Sequence, residues 1–347
     1  MTTSMRGYPA ERADMDVAVA PFSYNPSAWS QRIPIAALAL VAFVISASMA
    51  LYQWRLTSYV WDPFFNTEKV IDSDVAKTMH VWFGIPDAAL GAIAYLGDAL
   101  FGIAGSTRRW HYRPWLVILF GLDVIPLGAV SVILVGVQFF VLGQYCTPCL
   151  ITAIISLVLI YWAYDEVYAS LKFLWLVRKR HGWKAFRQAL FGHPNEQADE
   201  VAASLASPPE RRPSQEDSIG RSVGNWARIV EVGLACWLAV SPFVFRHPTE
   251  NGLWWLVDWT AAAVLFLVAT ASFWAPLRRV RWVSLAVSFG LIAFGYLMHQ
   301  EELPPAALQN HITIGILLLM MAFVPNDAGR PSRAWYEEAP KLTGPHA

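Results

Sequence analysis

Residues 143–164 read GQYCTPCLITAIISLVLIYWAY. Two cysteines, Cys146 and Cys149, stand three apart, and the fifteen residues from Leu150 to Tyr164 carry no charge. A run of that kind approaches the ~20 apolar residues needed to cross a bilayer. The dithiol therefore opens a membrane span. Residues i and i+3 share a helix face, so the two sulfurs can close a disulfide. Free N–H groups at the helix start stabilise a thiolate, while neighbouring lipid opposes it. The expectation is an activated sulfur at the mouth, Cys146, and a deeper one, Cys149.

The same pattern extends along the chain. Of 347 residues, 56% are hydrophobic and 15% charged, and seventeen are tryptophan. A soluble domain has roughly a quarter of its residues charged. Spans are predicted at 33–54, 86–105, 115–141, 146–164, 226–245, 256–275, 281–298 and 309–325. The fold class is thus an all-α polytopic membrane protein, a four-helix redox bundle followed by a second group of four transmembrane helices. Formal net charge is zero, so nothing suggests nucleic acid.

The first apolar run begins near Ile33, too far in for a signal peptide. Residues 1–32 are read as a disordered cytoplasmic tail and 33–168 as the four-helix redox domain. The segment 169–224 is read as a cytoplasmic linker, because "NEQADEVAASLASPPERRPSQEDSIGRS" cannot bury a core. Residues 225–327 form the second domain and 328–347 a cytoplasmic tail. "LVRKRHGWKAFRQALF", at the start of the linker, reads either as an amphipathic helix on the inner membrane surface or as a helix end with snorkelling charges.

Lys and Arg in short loops set orientation. Arg6, Arg12, Arg32, Arg108, Arg109, Arg113, Arg178, Lys179, Arg180, Arg278, Arg279, Arg281, Arg330 and Arg333 fall on one side of an eight-span chain. Arg55, Lys69, Lys77 and Arg246 fall on the other. Both termini are therefore expected in the cytoplasm of a multi-pass protein of the cell membrane, with the dithiol at the outer face. The loop from about 55 to 85 lies beside it, and residues 73–83 read as a short amphipathic helix. Pro86 and Asp87 suit a helix start, where a missing N–H costs nothing and a carboxylate meets the positive dipole end.

Zinc needs about four ligands; the third cysteine, Cys236, is remote, and His80, His247, His299 and His311 are scattered. No metal is expected. A zinc site or two inert cysteines are the alternatives to redox activity. A dithiol in lipid needs an electron acceptor that lives there. A quinone fits, since two thiols deliver the two electrons and two protons that make a quinol.

Residues about 30–168 resemble the vitamin K epoxide reductase family. The resemblance is carried by "CTPC" opening the fourth of four spans, "VWDPFF" after the first and "GIPDAALGAIAYL" entering the second. It implies a bundle around a quinone, menaquinone or ubiquinone, capped by the outer loop. It further implies that Cys149 faces the quinone and Cys146 exchanges with a partner, an exported thioredoxin-like thiol protein. Asp87 would sit near the quinone carbonyl, with Phe65 and Tyr145 as further quinone-binding candidates. Many members carry two relay cysteines in the loop; this loop has none, with Trp61 where one is expected and Ala153 where the family has a tyrosine. Residues 226–327 resemble the SPW-repeat membrane family through Ser241-Pro242-Phe243, with Pro325 closing the last span.

The first reading is a quinone-linked thiol–disulfide oxidoreductase. The alternative is a non-catalytic membrane protein that keeps the fold and binds quinone or a partner. A transporter lacks support, for want of charged cavity residues. Asp98 and Asp123, deep in their spans, are read as packing or interhelical hydrogen-bonding residues, and Cys236 as a small core residue.

Overall fold

The computed structural model describes residues 18–206, 226–247, 252–298 and 305–324. The first seventeen residues, the stretch 207–224, His299, Pro325 and the tail 328–347 lie outside the described residues. Those described are helical apart from turns and an isolated antiparallel bridge between Val19 and Ala206. The helices are α1 (Trp29–Gln53), α2 (Thr67–Ile71), α3 (Asp74–Phe83), α4 (Asp87–Ile103), α5 (Arg109–Tyr112), α6 (Pro114–Val137), α7 (Thr147–Leu190) and α8 (Glu196–Leu205). A second group follows as α9 (Trp226–Val244), α10 (Gly252–Ala271), α11 (Trp282–Leu297) and α12 (Ala306–Phe323).

Among the described residues, seven helices are long and apolar enough to cross a membrane. The eighth expected span, α4, has 17 residues, or ~25 Å at 1.5 Å per residue, the short end of what spans a bilayer. The result is an all-α polytopic membrane protein with two groups of four long helices.

Small residues set the spacing in the first group, as they do where helices meet in lipid. A Cβ on Gly128 of α6 would lie 2.2 Å from Ile160 of α7, so nothing larger fits there. At the end away from the cysteines, Arg109 grips Glu166 of α7 through two bonds, Nε to Oε1 at 2.6 Å and Nη2 to Oε2 at 2.5 Å. Arg32 donates to the carbonyls of Gly102, Ala104 and Gly105, satisfying orphan acceptors at the end of α4. Two arginines expected as loop charges are thus fully buried cappers.

Several expectations are corrected. The helix that carries the fourth span does not stop at 164 or 168: α7 runs 44 residues to Leu190. A break at Gly182 (φ 81°) interrupts it within the basic segment. Residues 169–205 are not an unstructured linker. Phe173, Val177, Ala185 and Ala189 of α7 bury against Val201 and Leu205 of α8 and against Val19. The polar composition hid Ala198, Val201, Ala202 and Leu205, whose helical spacing makes one face of α8 apolar. The N-terminal tail is likewise ordered from residue 18, with Val19 and Ser27 fully buried. Cys236 is exposed on α9 rather than in a core. Of the two roles expected for the buried Asp98, packing and interhelical hydrogen bonding, the first remains, since both carboxylate oxygens lack a hydrogen-bond partner among the described residues.

The two groups pack together. Ile85 and Ile93 belong to the core formed by Ala235, Leu238, Leu265, Leu291 and Ile312. Trp226, Met321 and Val324 join the core of the first group.

Candidate functional site

The dithiol stands where α7 begins. Cys146 is the N-cap residue, and its Sγ accepts from the Cys149 N–H at 3.1 Å. The Cα atoms are 5.3 Å apart and the sulfurs are joined as a disulfide, as their spacing on a first helical turn allows. Among the described residues no group of three metal-ligating side chains forms.

The two sulfurs have different surroundings. Cys149 lines a cavity of about 140 Å³ between α1, α3, α4, α6 and α7. Cys146 does not line it and is 0% exposed, packed with Met49, Val60, Val70 and Ile71. This corrects the expectation of an open mouth at Cys146. The loop after α1 folds over that sulfur because its apolar residues Val60, Val70 and Ile71 have no other core to enter.

Asp62 holds the loop there. Its Oδ1 accepts from the backbone N–H groups of Phe64 at 3.0 Å and Phe65 at 2.9 Å, and from the Thr147 hydroxyl at 2.5 Å. Its Oδ2 accepts from Thr67 Oγ1 at 2.5 Å and from the Thr147 N–H at 3.2 Å. Burial opposes ionisation of this carboxyl. The hydrogen bonds from Thr147, Thr67, Phe65 and Phe64 outweigh that and hold it well below the usual carboxylate range. An anion thus sits against the N-terminus of α7, the end that favours negative charge. The sequence held the signal in Asp62-Pro63, since aspartate readily bonds backbone N–H groups two and three residues on. Its bond to Thr147, eighty-five residues away, had no local signature.

The cavity wall is largely aliphatic, from Leu90, Leu127, Val130, Leu134 and Val135, with polar groups at separate points. Asp87 accepts from Gln53 Nε2 at 2.7 Å. The Tyr95 hydroxyl lies 2.7 Å from Ser156 Oγ and 3.1 Å from the Thr152 carbonyl. Gln138 is buried, and its Oε1 has no hydrogen-bond partner among the described residues. It stands in a π-helical stretch, Gln138–Leu142, that ends α6; such stretches often occur at functional sites. A buried amide without a partner suits a ligand carbonyl, since its oxygen and nitrogen ends are interchangeable by a flip.

Of the residues expected from the sequence, Cys149 and Asp87 therefore share the cavity. Phe65 and Tyr145 are not brought to it. Their rings are 5.3 Å apart, and Tyr145 packs on Phe139 at 4.8 Å, on the loop side of the dithiol. Tyr95 and Gln138 went unread because each is one polar residue in an apolar helix. Nearby, burial holds His80 of α3 below the usual histidine range, against the opposing pull of Asp87 and a hydrogen bond to Gln309.

Residues 33–164 match the model of the vitamin K epoxide reductase family, and residues 225–325 match that of the SPW repeat domain. No curated protein and no solved structure matches the chain.

Proposed function

We propose that this fusion of a vitamin K epoxide reductase domain with an SPW repeat domain is a membrane thiol–disulfide oxidoreductase that couples Cys146 and Cys149 to a quinone. The observation that carries the reading is Cys149 at the wall of a mainly apolar cavity whose polar points include Asp87, Gln138 and Tyr95. Ligand sites have that character.

A partner thiolate attacks the sulfur of Cys146, and the Cys146–Cys149 bond breaks. Cys149 leaves as a thiolate and takes a proton. The second partner thiol then attacks the partner sulfur of the mixed disulfide, releasing Cys146. The partner departs as a disulfide, and the pair holds two electrons and two protons as thiols. When bound, a quinone supplies an acceptor for those two electrons and two protons. Gln138 and Asp87 would hold it, the amide as a donor to a carbonyl oxygen and the carboxyl as a second polar contact. Cys149, on the cavity side, faces it, while Cys146 is the sulfur nearer the loop.

The cation distribution supports an orientation with both termini in the cytoplasm and the dithiol outside. An exported thioredoxin-like protein is then the partner, and it reaches Cys146 after the loop lifts. Residues 33–168 form the redox domain on this reading and 225–327 the second. A competing reading is a protein that binds quinone or a partner without turnover. The covered Cys146 and the loop without cysteines are on its side.

Thiol-alkylation gel shifts on isolated membranes test the proposal. Reduction should open the pair and added quinone should restore the disulfide. A pair that stays reduced under both benzoquinones and naphthoquinones would sink the oxidoreductase reading.

A further inference from the structure

α4 is a wall shared by the two groups of helices. Asp87, Ala88, Gly91 and Tyr95 line the cavity. Ile93, and Ile85 just before the helix, are buried in the core of α9–α12. The polar pair of the cavity, Gln53 and Asp87, joins the end of α1 to the start of α4. Each partner is anchored to the second group within a few residues.

On the α1 side, Trp54 Nε1 donates to Gln309 Oε1 at 2.6 Å, and its ring meets Phe245 edge-on at 5.8 Å. On the α4 side, the Tyr296 hydroxyl donates to the Phe83 carbonyl. Gly84 (φ 68°) lies so close that a Cβ there would be 2.7 Å from the Tyr296 ring and 3.0 Å from Ile312. Gln309 also bonds His80 of α3.

We propose that Gln309 and Tyr296 are positioning residues for the Gln53–Asp87 pair, so that the second group of helices sets the quinone affinity of the first. The proposal rests on the quinone reading above. The physical reason is leverage over short chain lengths: Trp54 adjoins Gln53, and Phe83 and Ile85 stand four and two residues before Asp87. If either anchor slackens, the end of α1 and the start of α4 can drift apart, and the carboxyl leaves its place in the wall. Neither anchor touches the cavity, so the chemistry at the sulfurs should be spared.

The test uses the full chain in membranes, with a short-chain benzoquinone and a naphthoquinone as probes. The variants are Gln309→Ala, Tyr296→Phe and Trp54→Phe. Leu267→Ala, at an exposed position of α10, is the control. Losing one such hydrogen bond should raise the quinone concentration for half-maximal disulfide recovery roughly three- to tenfold. The rate at saturating quinone should stay within about twofold, the signature of lost binding rather than lost chemistry. Amide exchange of residues 83–90 should quicken in the same variants, and Leu267→Ala should behave as wild type. Unchanged half-saturation together with unchanged exchange would overturn the proposal, as would an equal effect of Leu267→Ala. If the wild-type disulfide ignores both quinones, the oxidoreductase reading fails by itself. Exchange of residues 83–90 then decides alone: faster in the variants upholds the positioning role, and unchanged refutes it.

Discussion

Removing the Asp62 carboxylate should uncover Cys146. Five hydrogen bonds converge on it, from Phe64, Phe65, Thr67 and twice from Thr147. Bonds to a charged group are worth about 1.5–3 kcal/mol each, but they are not additive and water replaces them at a partly exposed loop. A net loss of about 2–3 kcal/mol follows for the closed loop in Asp62→Ala, which is roughly a 30- to 150-fold larger open population. Cys146 is 0% exposed when the loop is closed, so its modification rate should rise by the same factor. The assay is the labelling rate of Cys146 by a pyridyl disulfide, in a Cys149→Ser/Cys236→Ser background where no other cysteine reacts. The sign with pH follows from the same bonds. The folded carboxyl titrates below its ordinary value, so its contribution is complete above the unfolded pKa of about 4. It is lost as pH falls through the lower folded value. Protection of Cys146 should therefore persist at about pH 4, where an ordinary aspartate is half protonated. Labelling at the wild-type rate in Asp62→Ala would refute the clamp, and loss of protection near pH 5 would refute the titration argument.

Cys149→Ser should leave Cys146 holding partner proteins as mixed disulfides on non-reducing gels, whereas Cys146→Ser should not; trapping by Cys146→Ser instead would reverse the two roles. Asp87→Asn keeps an oxygen for Gln53 and should shift the quinone concentration for half-maximal reoxidation while thermal stability changes by no more than ~1 kcal/mol; loss of folded protein would make Asp87 structural. Glu166→Ala strands the buried Arg109 guanidinium and should cost about 3–5 kcal/mol, seen as a lower midpoint of thermal unfolding in detergent; a drop below ~1 kcal/mol would mean the pair is not closed in the membrane.

Much was legible in the sequence because lipid is a severe solvent. A chain in hydrocarbon must satisfy its backbone within helices, so the lengths of the apolar runs pointed to eight long helices and, the far end of α7 apart, to their approximate ends. The Cys-x-x-Cys spacing placed both sulfurs on one helical turn, and Pro86-Asp87 marked where α4 begins. Local physics suffices for those statements. The tertiary structure alone decided which residues meet. It took Cys146 under a loop through an Asp62–Thr147 contact across 85 residues, and it turned Arg32 and Arg109 from loop charges into buried cappers. It left Phe65 and Tyr145 outside the cavity and brought in Tyr95 and Gln138. It also ordered residues 169–205, whose polar composition conceals a one-sided apolar face on α8. Long-range pairing depends on how helices pack, and no periodicity within a single segment records its neighbour.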